Sequence, residues 1–141
     1  MKTMSKKLNL GCGPDYRKGY INCDINPKMN PDLVMDLEEA LPFKDNSIDF
    51  VLAESIWEHL NNRVHFIEEI HRVLKPKGKT IIKVPHYKYP SAWADVTHKF
   101  AFHPMAINPF LNKFKLIKTK CTRRRFMKWI KPDIIWILEK K

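Results

Sequence analysis

The stretch LNLGCGPD, residues 8–15, sets Gly11 and Gly13 around Cys12 directly after a short alternation of leucine and polar residues. Glycine tolerates positive φ and carries no Cβ, so a glycine pair after a strand marks backbone that passes close to something. Three carboxylates stand at comparable places, Asp24, Asp36 and Glu54, each closing a run of strand character, with Ser55 following the last. The carboxyl ends of strands are where open α/β sheets bind ligands. Any one of these acids is ordinarily a cap or a solvated loop residue. Their recurrence at successive strand ends favours a ligand. The histidines give no metal-binding spacing: His59, His65 and His71 recur every six residues, which puts no pair on one helical face at i, i+4. Cys12, Cys23 and Cys121 form no CxxC pair and are an odd number, so reduced thiols are expected, with neither disulfides nor structural zinc.

Seven strand candidates position these residues: 7–10, 20–24, 32–36, 48–53, 80–84, 114–120 and 134–138. Residues 62–74, NRVHFIEEIHRVL, place Val64, Ile67, Ile70 and Leu74 on one helical face, and Pro76 and Gly78 punctuate the end. Ser55 and Glu58 have capping-box spacing, which predicts a short turn after the fourth strand. A second short helix is expected from Pro104, limited by Pro109. The links between the first three strands are too short for the dozen or more residues of a helical crossover. In the first two strands Leu8, Leu10, Ile21 and Cys23 alternate with Lys7, Asn9, Tyr20 and Asn22, which predicts a half-bare sheet edge and therefore self-association or a partner protein.

A chain of 141 residues with 44% apolar content fits a single domain with a real core, spanning 1–141. No apolar run is long enough for a secretory leader or a membrane span, so a cytoplasmic protein is expected. The net charge of +11 is uneven: residues 1–72 hold 9 basic and 12 acidic side chains, residues 73–141 hold 17 and 3. Segment 111–131 has nine basic residues and no acidic one, and Arg123, Arg124 and Arg125 are its densest cluster. An anionic partner is one reading, RNA ahead of phosphorylated small molecules; a solvated lysine-rich surface is the other.

The order LNLGCG, INCDI, VMDLEEALPFKDNSIDFVLAESIWEHL, EEIHRVLKPKGKTIIKVP resembles the class I S-adenosylmethionine-dependent methyltransferase superfamily, in its small type 11-like branch. The resemblance covers residues 7–85. It implies an α/β, Rossmann-like, mostly parallel seven-stranded sheet with an antiparallel terminal hairpin, here with few helices. It implies S-adenosylmethionine as cofactor, with Gly11, Cys12 and Gly13 near its methionine part, Asp24 at the ribose hydroxyls, Asp36 at the adenine amino group between Ile25 and Leu37, and Glu54 at the fourth strand's end. A nicotinamide dinucleotide fits less well, since its pyrophosphate wants a helix N-terminus that Pro14 to Gly19 leave no room for. Related enzymes place acceptor-binding elements after the fifth strand, here 86–112, whose DVTHKF is similar to a stretch of that branch; His98, then His59, are the candidate bases. AESI stands where DNA amino-methyltransferases carry NPPY, which disfavours that acceptor. A cofactor-binding or RNA-binding module without activity, serving a larger complex, is the alternative.

Overall fold

The computed structural model describes residues 5–122 and 132–141. Seven strands, β1 (Lys7–Leu10), β2 (Ile21–Asp24), β3 (Leu33–Val34), β4 (Ile48–Glu54), β5 (Leu74–Pro85), β6 (Phe114–Cys121) and β7 (Asp133–Lys140), form one sheet in the order β3-β2-β1-β4-β5-β7-β6. β1 to β5 pair in parallel, and β7 runs antiparallel between β5 and β6. The chain thus reverses direction beside β1, where β2 and β4 flank it, and the carboxyl ends of β1, β2 and β4 open on one crevice.

The one α-helix among the described residues, α1 (Arg63–Val73), crosses from β4 to β5. Asn62 caps it, its side chain accepting from the His65 N–H. Phe66, Ile67, Ile70 and Val73 are buried, whereas Val64, expected on the inner face, is 55% exposed. The buried stripe starts two residues later than the spacing suggested. Lys140 at the end of β7 donates from Nζ to the His71 and Leu74 carbonyls, which the helix terminus leaves without intrahelical partners. Burial pushes the Lys140 ammonium pKa down. Pro76 and Gly78 do not separate helix from strand: β5 begins at Leu74 and carries an irregularity opposite Ile48 and Phe50, with Lys77 at φ +65°.

No helix joins β1 to β2, and only the 3-10 turn Pro27–Met29 stands between β2 and β3. The polar residues of this edge are nevertheless covered. Asn9 and Asn22 are 3% and 0% exposed. Asn9 Nδ2 donates to the Asp15 carbonyl and to Asn22 Oδ1, and Asn22 Nδ2 donates to the Arg17 carbonyl and Asp32. The Arg17 N–H donates back to Asn22 Oδ1. A two-amide network carries the loop of residues 13–20 over the sheet, in place of a helix. The half-bare face is therefore replaced by a hydrogen-bonded lid.

On the far side, Trp57 stacks on Phe102 with ring centroids 4.4 Å apart, and both lie edge-on to Trp136 of β7. Trp136 Nε1 donates to the Pro104 carbonyl at 2.9 Å, pinning the 3-10 turn Pro104–Phe110 against the sheet. This buried aromatic cluster fixes the 86–112 segment. The edge strand β6 exposes every residue after Phe114, and Lys115, Lys118 and Lys120 along it discourage addition of a further strand.

Candidate functional site

The crevice at the strand ends is a cavity of about 330 Å3, in the range of small-molecule sites. Gly11 lines it from the end of β1, Asp24 and Ile25 from β2, Met35, Asp36 and Leu37 from beyond β3, and Ile56 and His59 from beyond β4. Gly11 lies at φ +65°, and a Cβ there would meet the Ile56 side chain at 2.7 Å. Its close approach is thus to this chain's own isoleucine. Gly13, at φ +48°, has nothing within 4 Å of the corresponding position. Asp24 binds both sides of the loop: Oδ2 accepts from the Gly13 N–H and Oδ1 from the Asn26 N–H, each at 2.8 Å. Asp36 Oδ1 accepts from the Glu38 N–H. Glu38 in turn accepts from the Asn61 and Asn62 N–H groups, which holds its carboxyl below the usual range.

A second cavity of about 220 Å3 adjoins the first, and His59 lines both. Ser55, Glu58, Lys83, Ser91, Asp95 and His98 also line it. Ser55 sits at φ +54° and does not cap; the 3-10 turn Trp57–His59 follows Ile56, which makes no side-chain cap bond. The short turn expected after β4 is therefore present, but Ser55 turns a left-handed corner before it and does not cap it. That corner and turn aim Glu58 and His59 toward the 86–112 segment. The Lys99 N–H donates to the Glu58 carbonyl at 2.8 Å, which brings His98 beside His59, ring centroids 4.7 Å apart. His59 Nδ1 is 3.2 Å from the Thr97 carbonyl oxygen, and His98 Nδ1 is 3.1 Å from that of Ala92. The ligating atoms of Glu58, His59 and His98 all lie within 4.8 Å of one another, a cluster that spacing along one helix cannot reveal.

Of the residues expected around the cofactor, Gly11, Asp24, Ile25, Asp36 and Leu37 share the first cavity. Cys12 is buried beneath the loop, its thiol pKa raised first by burial and then by Asp24. Glu54 does not line that cavity; its carboxylate lies 3.3 Å from Arg17 and 3.7 Å from Lys83. Arg123, Arg124 and Arg125 lie outside the described residues. Met35, Glu38, Ile56, Leu60, Asn61 and Lys99 line the first cavity as well, without having been expected from the sequence. Ile56 had a signal in the sequence, since a glycine without a ligand requirement implies a bulky neighbour. Of the aromatic residues in the 86–112 segment, Phe102 is core, while Trp93 and Phe100 are 68% and 44% exposed.

The seven-stranded sheet, parallel from β1 to β5 with the antiparallel β7 and β6 at its edge, is that of a Rossmann-like methyltransferase fold, and the comparisons agree. The family described as a methyltransferase domain matches residues 8–82, and the chain belongs to that family, within the class I S-adenosylmethionine-dependent superfamily. An uncharacterised protein of Methanocaldococcus jannaschii is 39% identical over 125 residues, 78% of this chain and 55% of its own length. The chain spans about half the length of that relative, and less of other curated relatives. Among solved structures, a protein in complex with the Haloferax volcanii Trm112 methyltransferase activator superposes with a TM-score of 0.76, 17% identity, and coverage of 97% of this chain and 83% of that one. A SAM-dependent methyltransferase from Archaeoglobus fulgidus gives 0.72, 17% identity, and coverage of 99% and 87%. Among the described residues no helix is long and apolar enough to cross a membrane.

Proposed function

We propose that the first cavity binds S-adenosylmethionine and that a methyl acceptor occupies the second, with His59 at the seam between them. The observation that carries this reading is the pairing of Asp24 and Asp36 with apolar walls from Ile25, Met35, Leu37 and Ile56 in one cavity. Carboxylates at two strand ends suit ribose hydroxyls and an adenine amino group, and the apolar walls suit the ring. Gly13's open side leaves the loop backbone accessible to the amino-acid end. The cofactor supplies an already activated methyl, so the chain's work is orientation, which contributes roughly 7 to 11 kcal/mol in favourable cases. In this reading the candidates to take up a proton from the acceptor are His98 and then His59, with Glu58 and Asp95 lining the same second cavity.

Calorimetry tests the reading: saturable binding of S-adenosylmethionine and of its demethylated product is expected, with none of NAD. The reverse preference overturns it. Transfer of labelled methyl groups to a component of cell extract separates an enzyme from a cofactor-binding module without activity. By analogy with the Trm112 complex, a protein partner is a proposal for this chain too, tested by sedimentation of the chain alone and with extract. The exposed lysines of β6 are the surface we assign to an anionic carrier of the acceptor. Binding of mixed single-stranded RNA that falls with a log–log salt slope of about −0.7 per phosphate contact supports that assignment, and no binding at low salt removes it.

A further inference from the structure

We propose that His59 and His98, with the Glu58 carboxylate and Asp95 beside them, hold one divalent transition-metal ion, zinc or manganese in preference to magnesium, on the acceptor side of the cofactor cavity. The first argument is the state of the two imidazoles. A backbone carbonyl can only accept, so the Nδ1 of His59 facing Thr97 O at 3.2 Å, and that of His98 facing Ala92 O at 3.1 Å, are the protonated nitrogens of the neutral rings. Each ring is then left with its Nε2 lone pair, and both residues line the second cavity. An Nδ1–H bond to a backbone carbonyl is the orienting contact that metal-bound histidines make. Both members of this pair have it.

The second argument is what stands opposite those lone pairs. Glu58 Oε1 lies 3.9 Å from His59 Nε2, and Asp95 Oδ2 lies 3.5 Å from His98 Nε2. The Glu58 side chain is 1% exposed and that of His98 9%, so the donors sit at the wall of the fold, while His59 at 31% and Asp95 at 49% keep room to adjust. The Lys99–Glu58 backbone bond and the Trp57–Phe102 stack hold the two contributing segments together without any ion. In a tetrahedral zinc site with bonds near 2.0 to 2.1 Å, ligand atoms are about 3.3 Å apart, so modest rotation of the partly exposed side chains contracts the 4.8 Å cluster to bonding geometry.

The third argument concerns which cation. Two imidazoles with one or two carboxylates suit zinc, manganese or iron, whereas magnesium favours an all-oxygen octahedron with several waters. Three protein donors on zinc, or four on a five- or six-coordinate manganese, leave a position open within the cavity that Ser55 and Ser91 also line. Resting on the methyl-transfer reading, the ion's role is to bind the acceptor through that open position and lower the pKa of its proton, as such ions do for bound water, so that the proton leaves to solvent water and the ligating side chains need not take it up. Binding itself does not depend on that reading.

Protein stripped with a chelator and titrated calorimetrically with zinc chloride, manganese chloride and magnesium chloride in turn tests the site. One equivalent of zinc or manganese should bind, with magnesium at least about a hundredfold weaker. His98→Gln and His59→Gln should each weaken it about a hundredfold or more, and His65→Gln, on the outer part of α1, should leave it unchanged. Circular dichroism and the S-adenosylmethionine titration are run on the same samples, so that a misfolded variant is recognised; Asp95→Asn, at a half-exposed side chain, then serves as the second variant and should weaken binding about tenfold. Absence of stoichiometric binding, or affinity indifferent to His59, His98 and Asp95, overturns the metal site while intact cofactor binding leaves the methyl-transfer reading standing. Loss of cofactor binding by the unaltered protein, with metal bound, does the reverse.

Discussion

Replacing Asp24 separates a ligand-binding carboxylate from a loop tie: the structure shows the tie, and the proposed function adds the ligand. Each carboxylate oxygen already accepts one backbone N–H, from Gly13 and from Asn26, and a carboxylate offers about four acceptor sites. One lone pair per oxygen thus remains for a ribose diol. Hydrogen bonds to a charged group contribute about 1.5 to 3 kcal/mol, which corresponds to a loss of roughly ten- to a hundredfold in cofactor affinity for Asp24→Ala. The same change strands the Gly13 and Asn26 N–H groups, which costs about 1 kcal/mol each in fold stability. Asp24→Asn keeps one acceptor oxygen and removes the charge. It should therefore stay within about 1 kcal/mol of the parent in urea denaturation while losing about tenfold in affinity. The assay is calorimetry with S-adenosylmethionine and its demethylated product beside denaturant unfolding of both variants. Unchanged affinity in folded Asp24→Ala would refute the reasoning, leaving Asp24 as a clasp on the glycine loop and nothing more.

Arg72 donates to the Leu41 and Phe43 carbonyls, to Asp45 and to Glu69, so Arg72→Met should destabilise the fold by about 3 kcal/mol in denaturant titration. Arg72 also holds the Glu69 carboxyl below its usual range, so its share of stability is present above the unfolded value of about 4.3 and is lost as pH falls below it. The variant should show a shallower loss between about pH 5 and pH 3, and an unchanged acid limb would contradict the assignment. Asn22→Leu leaves Asn9 Nδ2, the Arg17 N–H and the Arg17 carbonyl without their shared amide partner and should cost about 2 to 4 kcal/mol, where a solvated Asn22 would cost less than 0.5. Thiol labelling of the native protein should modify exposed Cys121 and spare Cys23, whose pKa burial pushes up to about 12; labelling of Cys23 before unfolding would show that β2 opens.

The strands were legible because their cause is local. Val51, Leu52, Ala53 in β4 and the alternating Ile134, Trp136, Leu138 in β7 carry their burial pattern in the sequence itself. The short links between β1, β2 and β3 were also readable, from length alone. Their consequence was not. A polar residue at an alternate strand position ordinarily means solvent, yet Asn9 and Asn22 are buried, because the loop of residues 13–20 brings its own carbonyls and N–H groups to meet them. Nothing in a period-two pattern distinguishes an amide facing water from an amide facing backbone. Ser55 and Gly78 failed for a related reason: each was assigned a job from its usual role, while here Ser55 turns a left-handed corner and Gly78 sits in β5, where a Cβ would lie 2.8 Å from the Lys75 carbonyl oxygen.

The same distinction divides the site. Asp24 and Asp36 reach the same cavity because one ends β2 and the other stands two residues beyond β3, so position along the chain determines position in space. Glu54 obeyed that rule in the sequence and not in the fold, since Arg17 from the loop and Lys83 from the neighbouring strand draw its carboxylate away. His59 and His98 meet through tertiary contacts, the Lys99–Glu58 backbone bond and the approach of His59 Nδ1 to Thr97, with the aromatic stack of Trp57 on Phe102 behind them. A search for ligands at i, i+4 presumes that one helix carries both, and here a 3-10 turn and a loop do so. The chemistry of the acceptor side is therefore set by how the 86–112 segment docks. Phe102→Leu, which removes the stack on Trp57 without touching a polar side chain, should disturb the His59–His98 cluster and its metal affinity more than it disturbs cofactor binding. Equal losses of both would mean that the two cavities share one scaffold and are not assembled separately.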